Sequence, residues 1–474
     1  MDYDNLNEEI SDHRLKTFWQ KWLNEHREYY LPNLRQCGSR IVHQVGAVPT
    51  VFVLQNDEMD KSRLYGTAQC HSAWACPHCT AEVMARKAAQ IGAAIDCMKK
   101  HHQQTAIMIT FTLPHTKEMS CQDVFQVLQN TWRHFTRNGN RARGKKVYIL
   151  KNDKGVRGKK GGALGVGKAG EKKTYYVGED PYGKFRENLN IKHNVRVYEF
   201  TYGENAWHPH IHALFWVPNK NLNKVLDYEL SLINRWWISA KHCAKIYWSK
   251  KITDPQELKN FINKVYSDNK KITADGHKAL YISKDPNDTH KVREVTSSFY
   301  IAGWGGDREV TGNYQEKATH GEGHMTPYQI INKAFYSTGE EREKYLRLYA
   351  AYAQTTYKHR RCNFSNSGIT QIVREYLKSE EYKIAHKKKS TGKAQNWKIV
   401  YWFDELQWRD LLLVQKIKGM YLVDDILELA RAPNPQQLIK MFLEKHGLDA
   451  KLTKLNFNHK IIEDKLNGVT INAA

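Results

Sequence analysis

No run of about eighteen apolar residues occurs in the chain, so no membrane-spanning helix is expected. The opening MDYDNLNEEI is acidic and polar, unlike a secretory signal or transit peptide. Cysteine is sparse, 8 in 474 residues, which speaks against a disulfide framework and for a reducing, cytoplasmic setting. No internal repeat of fixed period is visible. Acidic residues fall short of basic ones, 50 against 73, leaving a formal net charge of +23. A field of that sign attracts polyanions, nucleic acid above all, although charge alone also suits a ribosomal or membrane-surface protein.

What is present is enough to fold. Hydrophobic residues make up 41% and aromatics 11%, sufficient for real cores, and the length implies two or three domains. Leu15 to Tyr29 places Phe18, Trp19, Trp22 and Leu23 at helical spacing. From Cys37 to about residue 80 the sequence reads as loop carrying cysteines. A helical run follows, Ala81 to Lys100, then a strand, Ala106 to Leu113, stopped by Pro114. Residues 138–190 hold a basic, Gly-rich insertion. Strand signals return at Val195–Tyr202 and His210–Val217, and a helix is expected from Leu222 to about His242. The expectation is an α+β protein in three parts: an N-terminal helix and cysteine module (1–90), a central domain (91–325), and a mostly helical C-terminal region (326–474).

The densest chemistry lies in Trp207-His-Pro-His-Ile-His212. Side chains alternate along a strand, so His208, His210 and His212 share one face and Ile211 takes the other. Pro209 cannot donate to a ladder, which puts it at the strand's start or on an edge. If Gly203-Glu-Asn-Ala206 forms the connection and Tyr202 pairs with Trp207, Glu199 falls opposite His210 on the histidine face. Two imidazoles and a carboxylate form a three-ligand set for a divalent ion, with positions left for phosphate oxygens and water. His208 is a further candidate ligand. The bland alternative is a set of surface histidines on an edge strand.

The cysteines form a second constellation. Cys70-His-Ser-Ala-Trp-Ala-Cys76-Pro-His-Cys79 holds a Cys-x₂-Cys knuckle, and Cys37 brings the thiols to four, the number a tetrahedral structural zinc needs. His71 and His78 are possible substitutes for one of them. No thioredoxin-like frame surrounds the knuckle, which weakens a redox reading; buried inert thiols are the other alternative. Cys97, Cys121, Cys243 and Cys362 are scattered. Gly165-Val-Gly-Lys168-Ala-Gly170 spells a nucleotide fingerprint on paper, but Ala169 replaces the Ser or Thr a P-loop needs and no apolar strand precedes it. Lys159, Lys160 and Lys168 there, and Lys387, Lys388 and Lys389 further on, are candidate contacts to DNA backbone or simply solvated.

Ile107-Met-Ile-Thr-Phe-Thr-Leu-Pro-His115 followed by Glu199-Phe-Thr-Tyr-Gly-Glu-Asn-Ala-Trp-His-Pro-His-Ile-His212 resembles the first two motifs of rolling-circle plasmid replication initiators (Rep proteins) of the HUH endonuclease superfamily. The resemblance spans about residues 35 to 415. It implies a central antiparallel sheet with flanking helices, and His210 and His212 as the metal pair. Phe299-Tyr-Ile-Ala-Gly-Trp-Gly305 is similar to the family's tyrosine motif, which makes Tyr300 the implied nucleophile. Gly303 stands where the family usually has lysine. Thr296 occupies the place where some relatives carry a catalytic glutamate, with Glu294 nearby but off that spacing. Thr326-Pro-Tyr and His359 to Ile369 resemble later segments, and the cysteine spacing resembles the zinc-ribbon knuckles that many such proteins carry.

What the resemblance implies is metal-dependent nicking of origin DNA, with magnesium or manganese at the histidines and a structural zinc at the cysteines. The attack leaves a 5′-phosphotyrosyl link and a free 3′-OH primer. The implied partners are origin DNA with a single-stranded or extruded nick site and the host helicase, single-strand binding protein and DNA polymerase, with no membrane. Two rival readings stay open: a transposase or relaxase with the same centre, and a zinc-containing nucleic-acid-binding protein without catalysis.

Overall fold

The computed structural model describes residues 11–142, 181–266, 280–282, 325–365, 367–382 and 397–450. Nine strands occur among them: β1 (Gln44–Val45), β2 (Val48–Asn56), β3 (Ser62–Tyr65), β4 (Gln104–Phe111), β5 (Asn194–Gly203), β6 (Ala206–Pro218), β7 (Leu280–Ile282), β8 (Cys362–Phe364) and β9 (Trp397–Asp404). The helices that matter here are α1 (Asp12–Glu25), α2 (Pro32–Arg35), α3 (Pro77–His102), α4 (Cys121–Ala142), α5 (Pro181–Asn188), α6 (Glu229–Trp248), α7 (Pro255–Val265), α8 (Pro327–Tyr336), α9 (Gly339–Thr356), α10 (Ser367–Lys378), α11 (Glu405–Lys418), α12 (Leu422–Leu429) and α13 (Pro435–Lys445). Among the described residues no helix is long and apolar enough to cross a membrane.

Two antiparallel sheets organise the molecule. The larger has the order β7-β4-β6-β5-β8, so the histidine strand β6 lies in its middle. Alternation gives β6 two buried faces. Ile211, Ala213, Phe215 and Val217 face a core shared with Phe125 and Leu128 of α4 and Trp236 of α6. Leu214 and Trp216 face Met84, Ala88 and Ile91 of α3 and Val373 of α10. Helices on both sides exclude water from the sheet, and the histidine face emerges only at the end of β6. The β4 pairing stops at Phe111↔Ile211, so Pro209 sits near the strand's start, beyond its neighbour's end, where a missing N–H is tolerated.

Aromatic rings brace that end. Trp207 stacks on Tyr352 at 5.6 Å, and Trp74 meets Phe200 edge-on at 5.6 Å. Such pairs contribute about 1 kcal/mol each beyond their buried area.

The second sheet corrects one expectation. The stretch read as loop from Cys37 to residue 80 contains β2, a nine-residue strand whose Val51, Phe52, Val53 and Leu54 are fully buried. Burial on both faces removes the polar alternation that marks a strand in sequence. Its partner is β9, paired antiparallel from Thr50↔Asp404 to Asn56↔Trp397 with an irregularity at Val53/Leu54. The C-terminal region, expected to be mostly helical, carries α8 to α13 among its described residues and also contributes one strand to each sheet, β8 and β9. The helix expected from Leu222 begins as short 3₁₀ turns and becomes α6 at Glu229. Both ends of the Gly-rich insertion are helical, in α4 and α5, and its centre lies outside the described residues.

Candidate functional site

The hairpin of β5 and β6 builds the first cluster. The tight connection is Glu204-Asn205, because Gly203 already pairs with Ala206, two residues shorter than the four-residue loop expected. The register is unaffected, since both counts pair Tyr202 with Trp207, and Glu199 lies opposite His210. His210 and His212 are two residues apart and so share Glu199's face.

Three atoms converge there. Glu199 Oε2 is 3.0 Å from His210 Nε2 and 2.8 Å from His212 Nε2, and the two nitrogens are 3.0 Å apart. Hydrogen bonds alone do not account for such a triangle, because two rings donating to one carboxylate oxygen have no proton left between their own Nε2 atoms. Neighbouring ligands of an octahedral ion with bonds of about 2.1 Å lie about 3.0 Å apart, which matches this spacing. The donor set of two imidazoles and one carboxylate suits a divalent ion.

The side chains are 12%, 12% and 15% exposed for His210, His212 and Glu199, open enough for a ligand to reach. Burial by itself raises the Glu199 pKa, but the hydrogen bonds and charge of His210 and His212 outweigh it and hold the carboxyl well below its usual range.

Thr110, which sequence reasoning passed over, completes the orientation. It pairs with His212 across β4 and β6, and its Oγ1 lies 2.9 Å from His212 Nδ1. With Nε2 keeping its lone pair for the cluster, Nδ1–H donates to the threonine hydroxyl and fixes the ring. The signal was the one polar residue in Ile107-Met-Ile-Thr-Phe111, but its register against β6 was not readable. His208 lies on the same face yet outside the triangle. Its Nδ1 is 3.5 Å from Nδ1 of His115, and its ring centroid is 5.5 Å from that of His210. Burial lowers the His115 pKa, which favours its neutral form.

The second cluster gathers Cys37, Cys70, Cys76 and Cys79, with all four sulfurs within 4.8 Å of one another. Cys37 Sγ is 3.4 Å from Cys79 Sγ and 3.8 Å from Cys76 Sγ. Tetrahedral zinc thiolates at about 2.3 Å from the metal are separated by about 3.8 Å, whereas a disulfide needs about 2.05 Å. The local fold explains the convergence. Pro77 opens α3 at its first position with Cys76 as N-cap, so both knuckle cysteines sit on the first helical turn, where the helix dipole favours thiolates. Gly38 takes φ +81 directly after Cys37, and its N–H bonds the Ala68 carbonyl at 2.7 Å, which turns Cys37 toward Cys70. Hydrogen bonds from the Cys70, Cys76 and Cys79 thiols push the Cys37 pKa far down. The neighbouring Cys37 pushes the Cys70 and Cys76 pKa values up.

His71 and His78 stand outside this four-sulfur set. Tyr300, with Glu294, Thr296 and Gly303, lies outside the described residues, as do Lys159, Lys160, Lys168, Lys387, Lys388 and Lys389.

Comparison with known proteins gives a partial relationship. A stretch of 155 residues, 32% of this chain, is 29% identical to a protein named Protein rep from Streptomyces lividans. The match covers 30% of that protein's length. No protein-family model and no solved structure matches the chain.

Proposed function

We propose that this protein is a replication initiator of the HUH endonuclease type, which nicks one strand of origin DNA with Tyr300 and leaves a free 3′-OH for rolling-circle synthesis. The observation that carries the reading is the triangle of Glu199 Oε2, His210 Nε2 and His212 Nε2 on adjacent antiparallel strands. The partial similarity to a protein named Protein rep and the net charge of +23 support it.

In this mechanism Glu199, His210 and His212 hold a divalent cation, magnesium or manganese. Bound there, the ion supplies a Lewis acid that offsets negative charge developing on the scissile phosphate. Thr110 holds His212 in the tautomer whose Nε2 lone pair faces the cluster. The Tyr300 phenol oxygen attacks phosphorus after losing its proton, the P–O3′ bond breaks, and the departing oxygen takes up a proton as the 3′-OH. The 5′-phosphotyrosyl bond retains the energy of the broken linkage for later rejoining. The four cysteines hold a structural zinc that fixes α3 against the segment after α2. Unwinding and synthesis fall to the host helicase, single-strand binding protein and polymerase.

The test incubates wild-type and Tyr300→Phe protein with supercoiled plasmid carrying this gene and its flanks, in magnesium, manganese or EDTA. Nicked circles with protein attached, absent in EDTA and absent for Tyr300→Phe, are expected. Nicking that survives the substitution moves the nucleophile elsewhere. Origin binding without cleavage in either metal overturns the enzymatic reading.

A further inference from the structure

A cavity of about 450 Å³ lies between the cysteine knuckle, the start of α3 and the segment following α9. Helix α3 supplies Val83, Met84 and Lys87, and the opposing segment supplies Tyr357, Lys358 and Arg360. Among the described residues no aspartate or glutamate lines it. Four cationic side chains, counting the buried Arg361, thus share a concave space with an apolar wall. Lys358 and Arg360 are exposed, and no ion pair is seen for either among the described residues. The Tyr357 ring is half-buried, with Lys358 Nζ 5.2 Å from its centroid.

The walls are held rigidly. Trp74 Nε1 donates to the His359 carbonyl at 2.7 Å, and Arg361 donates to the Ala73 carbonyl at 3.3 Å. Arg361 also donates to the Tyr198 carbonyl, and its own carbonyl accepts from the Tyr198 N–H at 3.0 Å. Tyr198 precedes Glu199 on β5. Continuing the β5–β8 register past Val197↔Cys362 brings Arg360 opposite Glu199. The cavity is therefore tied to the strand that carries the carboxylate of the metal-suited triangle.

The volume exceeds what an inorganic anion needs and falls in the range of small-ligand pockets. A nucleotide residue combines the two properties that the lining asks for, a phosphate for the cations and a flat base for the aliphatic wall and the tyrosine ring. We infer that this cavity holds one nucleotide of a single DNA strand and sets that strand in register with Glu199, His210 and His212. The inference rests on the nicking reading for its purpose, but its binding is measured independently.

The probe is a fluorescein-labelled single strand of about twenty nucleotides, its binding followed by anisotropy without added magnesium or manganese so that cleavage plays no part. Lys358→Ala/Arg360→Ala removes two surface cations, and Lys440→Ala/Lys445→Ala removes two exposed cations of helix α13 that do not line the cavity. The first pair is expected to weaken binding about tenfold or more. It should also make the salt dependence shallower by about 0.7 in slope, as the phosphate keeps its counterion. The second pair is expected to change neither. Equal weakening in both variants, or none in the first, overturns the assignment, whether or not wild type nicks. Selective weakening in the first variant of a protein that binds but never nicks keeps the pocket and sinks the nuclease reading. Displacement of the strand by micromolar thymidine 5′-monophosphate would reassign the cavity to a free nucleotide and overturn the strand proposal.

Discussion

The two metal-suited clusters are built in opposite ways. Cys37, Cys76 and Cys79 are 2%, 1% and 1% exposed, and with the half-buried Cys70 they offer four soft donors, the number a tetrahedral ion takes. Glu199, His210 and His212 offer three harder donors and remain 12–15% exposed on the side chain. A closed set leaves no position for a reacting atom, while an open one does. On the proposed function, the cysteines would hold the fold and the triangle would meet a phosphate. The difference also shows why one region is stapled by helix and loop and the other is mounted on the central strand of a sheet.

The largest effect expected from breaking this contrast comes from the cysteines. On the proposed zinc reading, Cys76→Ser should remove one zinc per chain and, because binding of a structural metal contributes folding free energy, lower stability by several kcal/mol. Metal content by mass spectrometry of the native protein and thermal melting check both. A variant with full stability and no zinc would strip the cluster of its structural role. His210→Ala should do the converse. Nicking should fall on the order of 10³-fold while the melting temperature moves by only about 2 °C. A collapse of stability there would mean that the histidines serve the core after all.

A subtler substitution tests the ring's orientation. Thr110→Val keeps the strand's shape and removes the acceptor from His212 Nδ1, so manganese affinity should drop about 10- to 100-fold with the cysteine site untouched. Isothermal titration reads it, and unchanged affinity would leave Thr110 without a part.

The smallest expected effect concerns the surroundings of the cysteines. Asp424 of α12 accepts from Ser11 Oγ at 3.0 Å and lies 3.1 Å from His13 Nδ1, while His13 Nε2 is 2.7 Å from the buried Lys16. Burial raises the Asp424 pKa, but His13, Lys16 and Ser11 outweigh it and hold the group below its ordinary 3.8. A depressed carboxylate stabilises the fold above its unfolded pKa, and that contribution fades as pH falls through the lower folded value. Asp424→Asn should therefore cost about 1 kcal/mol near neutrality and progressively less below pH of about 4. Urea melts at several pH values check this, and a penalty that grows in acid would reverse the assignment.

The histidine centre was legible because its information is local. Eleven positions separate Glu199 from His210, and a hairpin between them fixes who faces whom whether the loop is counted as four residues or two. The cysteine set was legible for a different reason, since the thiol count met a coordination number. What escaped reading depended on distant partners. Thr110 required the β4–β6 register, and β2 had no alternation because both its faces are covered. The basic cavity joins residues near 80 with residues near 360, two stretches unremarkable when read apart.

The pairing of β2 with β9 joins stretches about 350 residues apart, and this sets a timetable for synthesis. On a ribosome adding about 5–20 residues per second, β2 emerges roughly 20 to 70 seconds before its partner exists. During that interval one edge is covered by β3, but Phe52 and Leu54 lack Trp397 and the rest of β9. An apolar strand edge left open that long is a template for wrong pairing. The newborn chain therefore carries that edge unpaired until β9 arrives.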